Sequence, residues 1–383
     1  MVKNKILFVS MPSIHVIRWI ENLKETHHEL YWFDILDKGK LNIPDNIHQF
    51  TNWKKRKLPY IKGEYFLSKK SSLLYERLQP LLERTANEVL EKIIIEIQPD
   101  VVHSFEMQSC SYPIIRTMSK YPDIKWLYSC WGNDLFYYRN FKEHNTKIRK
   151  VLNRIDFLHT DCIRDFEIAK QLGFKGQFLG VIPGGTGYRT EEIEKYKLPI
   201  HERKIILVKG YEHHFGRGLN VVKALELIKK ELENYEVVVF GAHPKVIEYI
   251  NEKSLNYTCF HRHGLTHEEL IKLMGKSLLY IGNSISDGIP NTLLEAIVMG
   301  AFPIQSNPGG ATSEIITDGE NGFLIQQPEN IEGIRENIIK AITNIPLVKS
   351  ATVLNSVLAK ERLDYEVNNK KLLAIYESIA QYR

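Results

Sequence analysis

Apolar residues fall along this chain in two alternating rhythms. Short runs of consecutive apolar positions, as in strands buried on both faces, alternate with stretches of helical spacing. Lys5–Val9 reads as the first such strand and Val16–Glu25 as the helix after it. Leu30–Phe33 returns to strand. Glu83–Ile97 is a helix closed by Pro99, and Val101–His103 is the strand leaving it. Lys125–Ser129 and Phe157–Thr160 are further strands. The rhythm stops at Ile182–Lys204, a segment rich in glycine, proline and charge, and then restarts. Strands at Ile205–Val208, Glu236–Phe240, Thr258–Phe260, Ser277–Ile281 and Phe302–Gln305 alternate with helices at Leu219–Lys230, Lys245–Asn251, His267–Gly275 and Asn291–Met299. A final helical stretch, Leu363–Ile379, has no strand after it.

This alternation predicts the α/β class, with parallel sheets covered by helices on both faces. A length of 383 residues suits two domains. Two doubly wound, Rossmann-like lobes are expected to face a cleft, with ligands at the carboxyl ends of their strands. The expected boundaries are an N-terminal lobe at 1–182, a linker at 183–203, a C-terminal lobe at 204–360, and a helix at 361–383 crossing back onto the first lobe.

Composition narrows the setting. Four cysteines are far apart and form no CxxC pair, which argues against a disulfide framework or a cysteine metal site and fits a reducing compartment. The first residues lack the length and cleavage site of a signal peptide, and no apolar run is long enough to span a membrane. A cytoplasmic protein is expected. The net charge of +5 is uneven, with +7 over residues 1–182 and −2 over the rest. Trp53–Lys70 concentrates the positive charge, with seven basic residues, one acid, and Trp53, Tyr60, Tyr65 and Phe66 interleaved. Such a run reads either as a solvated loop or as a peripheral contact with an anionic membrane surface. No nucleic-acid motif accompanies the charge, so no nucleic-acid partner is expected.

The chemistry concentrates in Ser286–Gly310. A strand ends in a polar loop and a helix begins near Pro290 or Asn291, where proline suits the first turn. The amides of Asn291, Thr292 and Leu293 then form an anion site at the helix mouth. Gly288, followed by Ile289 and Pro290, allows close approach of the backbone to a ligand. Asp287 precedes the mouth, and Glu295 lies one turn inside it. Together these groups suit a phosphate flanked by hydroxyls, as in a sugar nucleotide. Taken singly, Asp287 reads as a cap and Glu295 as a solvated helix position; the whole string does not.

Asp287-x7-Glu295, Gly300-x-x-Pro303, Gly309-Gly310-x-x-x-Glu314 and Asp318-Gly319-x-Asn321-Gly322-Phe323 together resemble the signature of the retaining GT-B glycosyltransferases of family 4. The resemblance implies that Asp287 meets the donor sugar, in place of the usual Glu, and that Glu295 binds ribose. It also implies a diphosphate-neutralising pair in Val208–Gly218, where Arg217 fits the family's Lys slot. Tyr211 stands where an Arg is usual, so Lys209 substitutes. His213 and His214 are adjacent and rarely would face one centre, so no metal is expected.

The first half departs from the family. Ser10–Trp19 lacks the glycine loop, and His15 and Arg18 are its candidates for reaching the reacting groups. In Ser129–Phe136, which resembles the family's HGxD loop, Gly132 and Asp134 match but Trp131 replaces the His. His103 and Glu106 end a strand and are acceptor-side candidates beside Trp131; each is equally readable as structural.

The resemblance implies transfer of a sugar, most commonly from a UDP-linked donor, to a hydroxyl of a glycan or lipid-linked saccharide with retention, as in bacterial surface polysaccharide synthesis. No cofactor is implied beyond the nucleotide sugar as co-substrate. A GT-B sugar-nucleotide epimerase and a noncatalytic GT-B subunit that binds glycan or a partner are the alternatives.

Overall fold

The computed structural model describes residues 3–381 and contains two α/β units. The first comprises residues 1–160, 166–180 and 372–383, and the second residues 161–165 and 181–371.

The first unit carries strands β1 (Lys5–Ser10), β2 (Glu29–Asp34), β3 (His48–Phe50), β4 (Val101–Phe105), β5 (Lys125–Cys130), β6 (Phe157–Thr160) and β7 (Gln177–Val181). They form one sheet in the order β3-β2-β1-β4-β5-β6-β7. The pairings from β3 to β6 are parallel. Ile6, Leu7, Phe8 and Val9 are fully buried, because helices cover both faces of the sheet. Leu7 and Val9 share a core with Leu90, Ile93 and Ile94 of the helix Ala86–Ile97. Thr85 and Glu88 close that helix's start as a capping box, so it begins three residues later than the apolar pattern suggests.

On the opposite face the last helix, Tyr365–Gln381, brings Tyr376 into the core. A buried polar chain fixes it there. Trp19 Nε1 donates to Tyr376 Oη at 2.7 Å, and Tyr376 Oη lies 2.8 Å from His103 Nδ1. His103 Nε2 lies 2.8 Å from Ser129 Oγ, which lies 3.1 Å from His159 Nδ1. The tyrosine hydroxyl accepts from Trp19, and two buried imidazoles and a serine hydroxyl continue the chain. Burial holds His103 well below the ordinary histidine range and lowers His159 to about 3.

Below about pH 6.5 the unfolded chain takes protons that these rings refuse, so acid destabilises this unit. For His159 alone the loss between pH 6.5 and 5 is about 2 kcal/mol. His159→Asn keeps an acceptor for Ser129 without a titrating ring. Its melting temperature should fall less between pH 7 and 5 than that of the parent, and an equal fall in both would refute the assignment.

The second unit carries β8 (Ile205–Lys209), β9 (Glu236–Ala242), β10 (Thr258–His261), β11 (Ser277–Gly282), β12 (Phe302–Ser306) and β13 (Phe323–Ile325). Their order is β10-β9-β8-β11-β12-β13, with parallel pairing throughout. Residues 183–203, expected as a linker, are folded onto this unit. Leu198 N donates to Gly275 O at 3.0 Å, and Tyr188 N to Leu363 O at 2.8 Å. Arg203 is 5 % exposed and donates to the carbonyls of Leu198, Ser277 and Met299. Charge and glycine marked this stretch as a connector, but its carbonyl and guanidinium partners lie on distant strands and helices.

The described residues of Trp53–Lys70 are not one loop. Trp53 is buried in the first unit's core and its Nε1 donates to the Asp34 carbonyl, which removes it from any membrane-facing set. Arg56 is paired with the buried Glu64. Glu64–Lys70 forms a short helix whose outer face shows Tyr65, Phe66, Lys69 and Lys70. Among the described residues no helix is long and apolar enough to cross a membrane.

Candidate functional site

In the second sheet the strand order turns between β8 and β11, and their carboxyl ends meet where ligands of doubly wound sheets bind. Lys209 is the last residue of β8. The chain after it turns through Tyr211, whose ring lies over the backbone of β9: a Cβ at Gly241, where φ is +59°, would fall 2.3 Å from Tyr211 Cε1. The Tyr211 ring is a platform for two cations. Lys209 Nζ lies 4.8 Å from its centroid and the Arg262 guanidinium 5.9 Å. Arg262 follows β10 and carried no signal in the sequence pattern, because only the sheet brings it beside β8.

His213 reports the electrostatics of the place. Its pKa is lowered first by burial and then by Lys209, Arg262 and His243, while Asp287 opposes them. The loop after β8, the ends of β9 and β10, and the Asp287 segment therefore share one neighbourhood.

The segment after β11 starts the helix Asn291–Val298, with Pro290 as its cap residue. Asp287 is thus not the cap; its Oδ1 accepts from Gly288 N at 3.0 Å and stands ahead of the helix mouth. Gly288, Ile289 and Pro290 are buried. Of the three amides expected at the mouth, that of Leu293 is spent on the Pro290 carbonyl at 3.0 Å, so the anion site is narrower than the sequence implies. Thr292 Oγ1 bonds Tyr280 Oη of β11 at 2.8 Å, which seats the first turn on the sheet. Asn291 receives the Tyr188 hydroxyl at its carbonyl, at 3.3 Å.

Glu295 is not a solvated helix position. It is 4 % exposed, and its Oε1 lies 2.8 Å from His267 Nε2. Asp287 and Glu295 both act on buried Tyr280, which places the two carboxylates about one tyrosine.

Arg217 is engaged within and beside its own loop. Its guanidinium donates to Glu329 and to the carbonyls of Gly216, His213 and His214. It holds its own loop, and the cation beside Lys209 is Arg262.

Elsewhere in this unit, Glu314 of the Gly-Gly-x-x-x-Glu motif accepts from the amides of Ile163 and Arg164 at 2.8 and 2.9 Å.

The first unit has its own turn in strand order, between β1 and β4. Ser13 caps the helix Ile14–Glu21 and accepts from His15 N. The exposed His15 ring meets Trp131 edge-on at 5.8 Å, and Arg18 lies one turn further, half-buried. Trp131 follows β5 and also lies 6.3 Å from Phe105. Asp134 is buried and accepts from Trp131 N at 3.0 Å, from Cys130 Sγ and from Tyr128 Oη, so it orients the Trp131 loop. Glu106 has φ +73° and folds back on its own loop, accepting from Gln108 N and Ser109 N at 2.8 and 2.6 Å. Burial and the Asp134 charge push its pKa up to about 7. His103 does not face an acceptor: it is fully buried, and both ring nitrogens are engaged in the polar chain described above.

Residues 5–163 match the glycosyl transferase 4-like family model and residues 189–352 the glycosyl transferases group 1 model. An uncharacterized glycosyltransferase of Methanocaldococcus jannaschii is 25 % identical over 205 residues, which are 50 % of this chain and 52 % of the relative. The match thus spans about half the length of that relative. Among solved structures, a Rickettsia africae glycosyltransferase aligns over 100 % of both chains with a TM-score of 0.66 and 18 % identity. The sucrose-phosphate synthase of Thermosynechococcus elongatus aligns over 100 % of both with 0.73 and 13 %. The Anabaena protein HepE, crystallised with UDP and glucose, aligns over 98 % of this chain and 100 % of its own with 0.64 and 15 %. Residues 5–163 and 189–352 thus each match a glycosyltransferase model, 4-like and then group 1, on two Rossmann-like units.

Proposed function

We propose that the protein transfers a sugar from a nucleotide sugar to a hydroxyl of a saccharide with retention at the anomeric carbon. The observation that carries this reading is the meeting of Lys209 and Arg262 with Asp287 and the start of the helix Asn291–Val298 at the β8 and β11 carboxyl ends. A nucleoside diphosphate needs that combination. In this reading the helix mouth and the two cations hold the phosphates and stabilise the charge on the departing diphosphate. Glu295 accepts the ribose hydroxyls and Asp287 those of the sugar. The diphosphate takes the proton of the acceptor hydroxyl on the face it leaves, so the chain supplies no nucleophile. With two cations at the phosphates, the reading requires no metal. UDP is the first nucleotide to test, since HepE was crystallised with it.

The experiment is a panel of nucleotide sugars scored by thermal shift and then by transfer. A true donor at 100 times its Kd stabilises the folded chain by about 2.7 kcal/mol. No shift and no turnover with any donor would sink the reading.

A lipid-linked acceptor in surface polysaccharide synthesis accords with one surface of the first unit. Tyr60, Ile61, Tyr65 and Phe66 are 81, 56, 77 and 66 % exposed, and Lys62, Lys69 and Lys70 stand exposed among them. This is the pattern of a peripheral anchor to anionic lipid at the inner membrane face. Tyr65→Ser with Phe66→Ser should abolish sedimentation with vesicles of 30 % anionic lipid. Equal sedimentation of parent and variant, or none by the parent, would remove the membrane from the reading.

A further inference from the structure

The first unit contains a cavity of about 830 Å³ that none of the roles above uses. Its size is that of a small-molecule site. It opens beside the ends of β2 and β4, between the start of the helix Ala86–Ile97 and the helices Ile115–Lys120 and Lys142–Leu152.

Its charge is one-sided. Six basic residues and three glutamates line it. The glutamates are already engaged: Glu83 accepts from Gln79, Glu88 from Lys57 and the Thr85 amide, and Glu91 from Lys120. Among the described residues, Arg84, Arg116 and Lys150 make no ion pair. Exposed cations of this kind cost little when unpaired, but they concentrate an anion at the opening.

One lining residue, Gln108, has a different character. Gln108 Nε2 donates to the Asp134 carbonyl at 2.9 Å, which fixes the amide, while its Oε1 is buried with no hydrogen-bond partner. A buried acceptor left empty is costly, so a ligand hydroxyl that donates to it gains more than a hydroxyl at the surface. Glu106 grips the amides of Gln108 and Ser109, so the acceptor is held on a pre-formed loop. Tyr112 supplies a half-buried aromatic wall, with Lys147 Nζ 5.8 Å from its ring centroid.

An orphan acceptor for a hydroxyl, an aromatic wall for a pyranose face and a cationic rim are the three needs of an acidic sugar. We infer that this cavity binds an acidic saccharide, with its carboxylate or phosphate against Arg116 and Lys150 and a ring hydroxyl donating to Gln108 Oε1. The site stands whether or not the second unit transfers a sugar.

The test is equilibrium binding to the full chain of glucuronate, glucose 6-phosphate, glucose and inorganic phosphate, by ligand-observed NMR. Both acidic sugars should bind at least tenfold more tightly than glucose and than phosphate alone. Comparable binding of glucose would overturn the charge assignment, and comparable binding of phosphate would reduce the site to an anion patch. Arg116→Gln with Lys150→Gln, both at exposed positions, should weaken the acidic sugars at least tenfold without changing the melting temperature. Gln108→Leu should weaken the acidic sugars while leaving inorganic phosphate unchanged. Unchanged sugar affinity in either variant refutes the site. Nucleotide-sugar binding, measured in the same samples, belongs to the second unit: its absence would count against the transfer reading and leave this one intact.

Discussion

Glu295→Ala is expected to weaken nucleotide-sugar binding about 100-fold and to erase the thermal shift, since two hydroxyl bonds to an ionised acceptor contribute about 1.5 kcal/mol or more each. The position explains why a single carboxylate can matter this much. Glu295 is almost fully buried, so bonds to ribose hydroxyls there would form away from competing water, and His267 holds one of its oxygens in place. Two companions separate contact from folding. Glu295→Gln keeps the volume and the His267 neighbour but loses the charge, and should recover only part of the affinity. His267→Ala keeps the carboxylate and should weaken binding by less than tenfold. A Glu295→Ala protein that melts like the parent and still shifts fully with the donor would show that ribose is held elsewhere.

Lys209→Ala carries the second large effect, a loss of about 10²–10³-fold in kcat with a much smaller change in KM. The asymmetry follows from where charge develops. A diphosphate bound in the ground state shares its charge with the sugar bond, whereas the departing diphosphate concentrates it on the leaving oxygen. A cation at the end of β8 acts mainly on the second state. Arg217→Ala should be milder in kcat and should act through loop order, because its guanidinium is spent on Glu329 and three carbonyls. Steady-state kinetics with the donor identified by the panel decides between them. If Lys209→Ala retains kcat within threefold while Arg262→Ala does not, the leaving-group cation is Arg262.

These two residues also show how unevenly a sequence discloses a site. Glu295 was visible because it lies one turn into the helix that opens at Asn291, and local geometry is what spacing encodes. Its burial was invisible, since its neighbour His267 comes from another helix. Lys209 was visible as a strand-end cation, but Arg262 was not: 53 residues separate them, and only parallel pairing of β8, β9 and β10 brings their loops together. His103 failed in the opposite direction. At a strand end it resembled a ligand-facing histidine, yet the last helix closes over it through Tyr376.

By itself the sequence determined the strand–helix alternation, the restart near residue 204, the helix opening at Pro290 and the carboxylates on either side of its mouth. All are local consequences of apolar period, proline and glycine, read within a few residues. Tertiary structure alone decided which cations gather on the Tyr211 ring, which aromatics of Trp53–Lys70 are exposed, that residues 183–203 fold onto the second unit, and that a cavity with a cationic rim lies in the first. Each of these depends on contacts between residues tens to hundreds of positions apart, and no periodicity along a chain records which strand ends become neighbours.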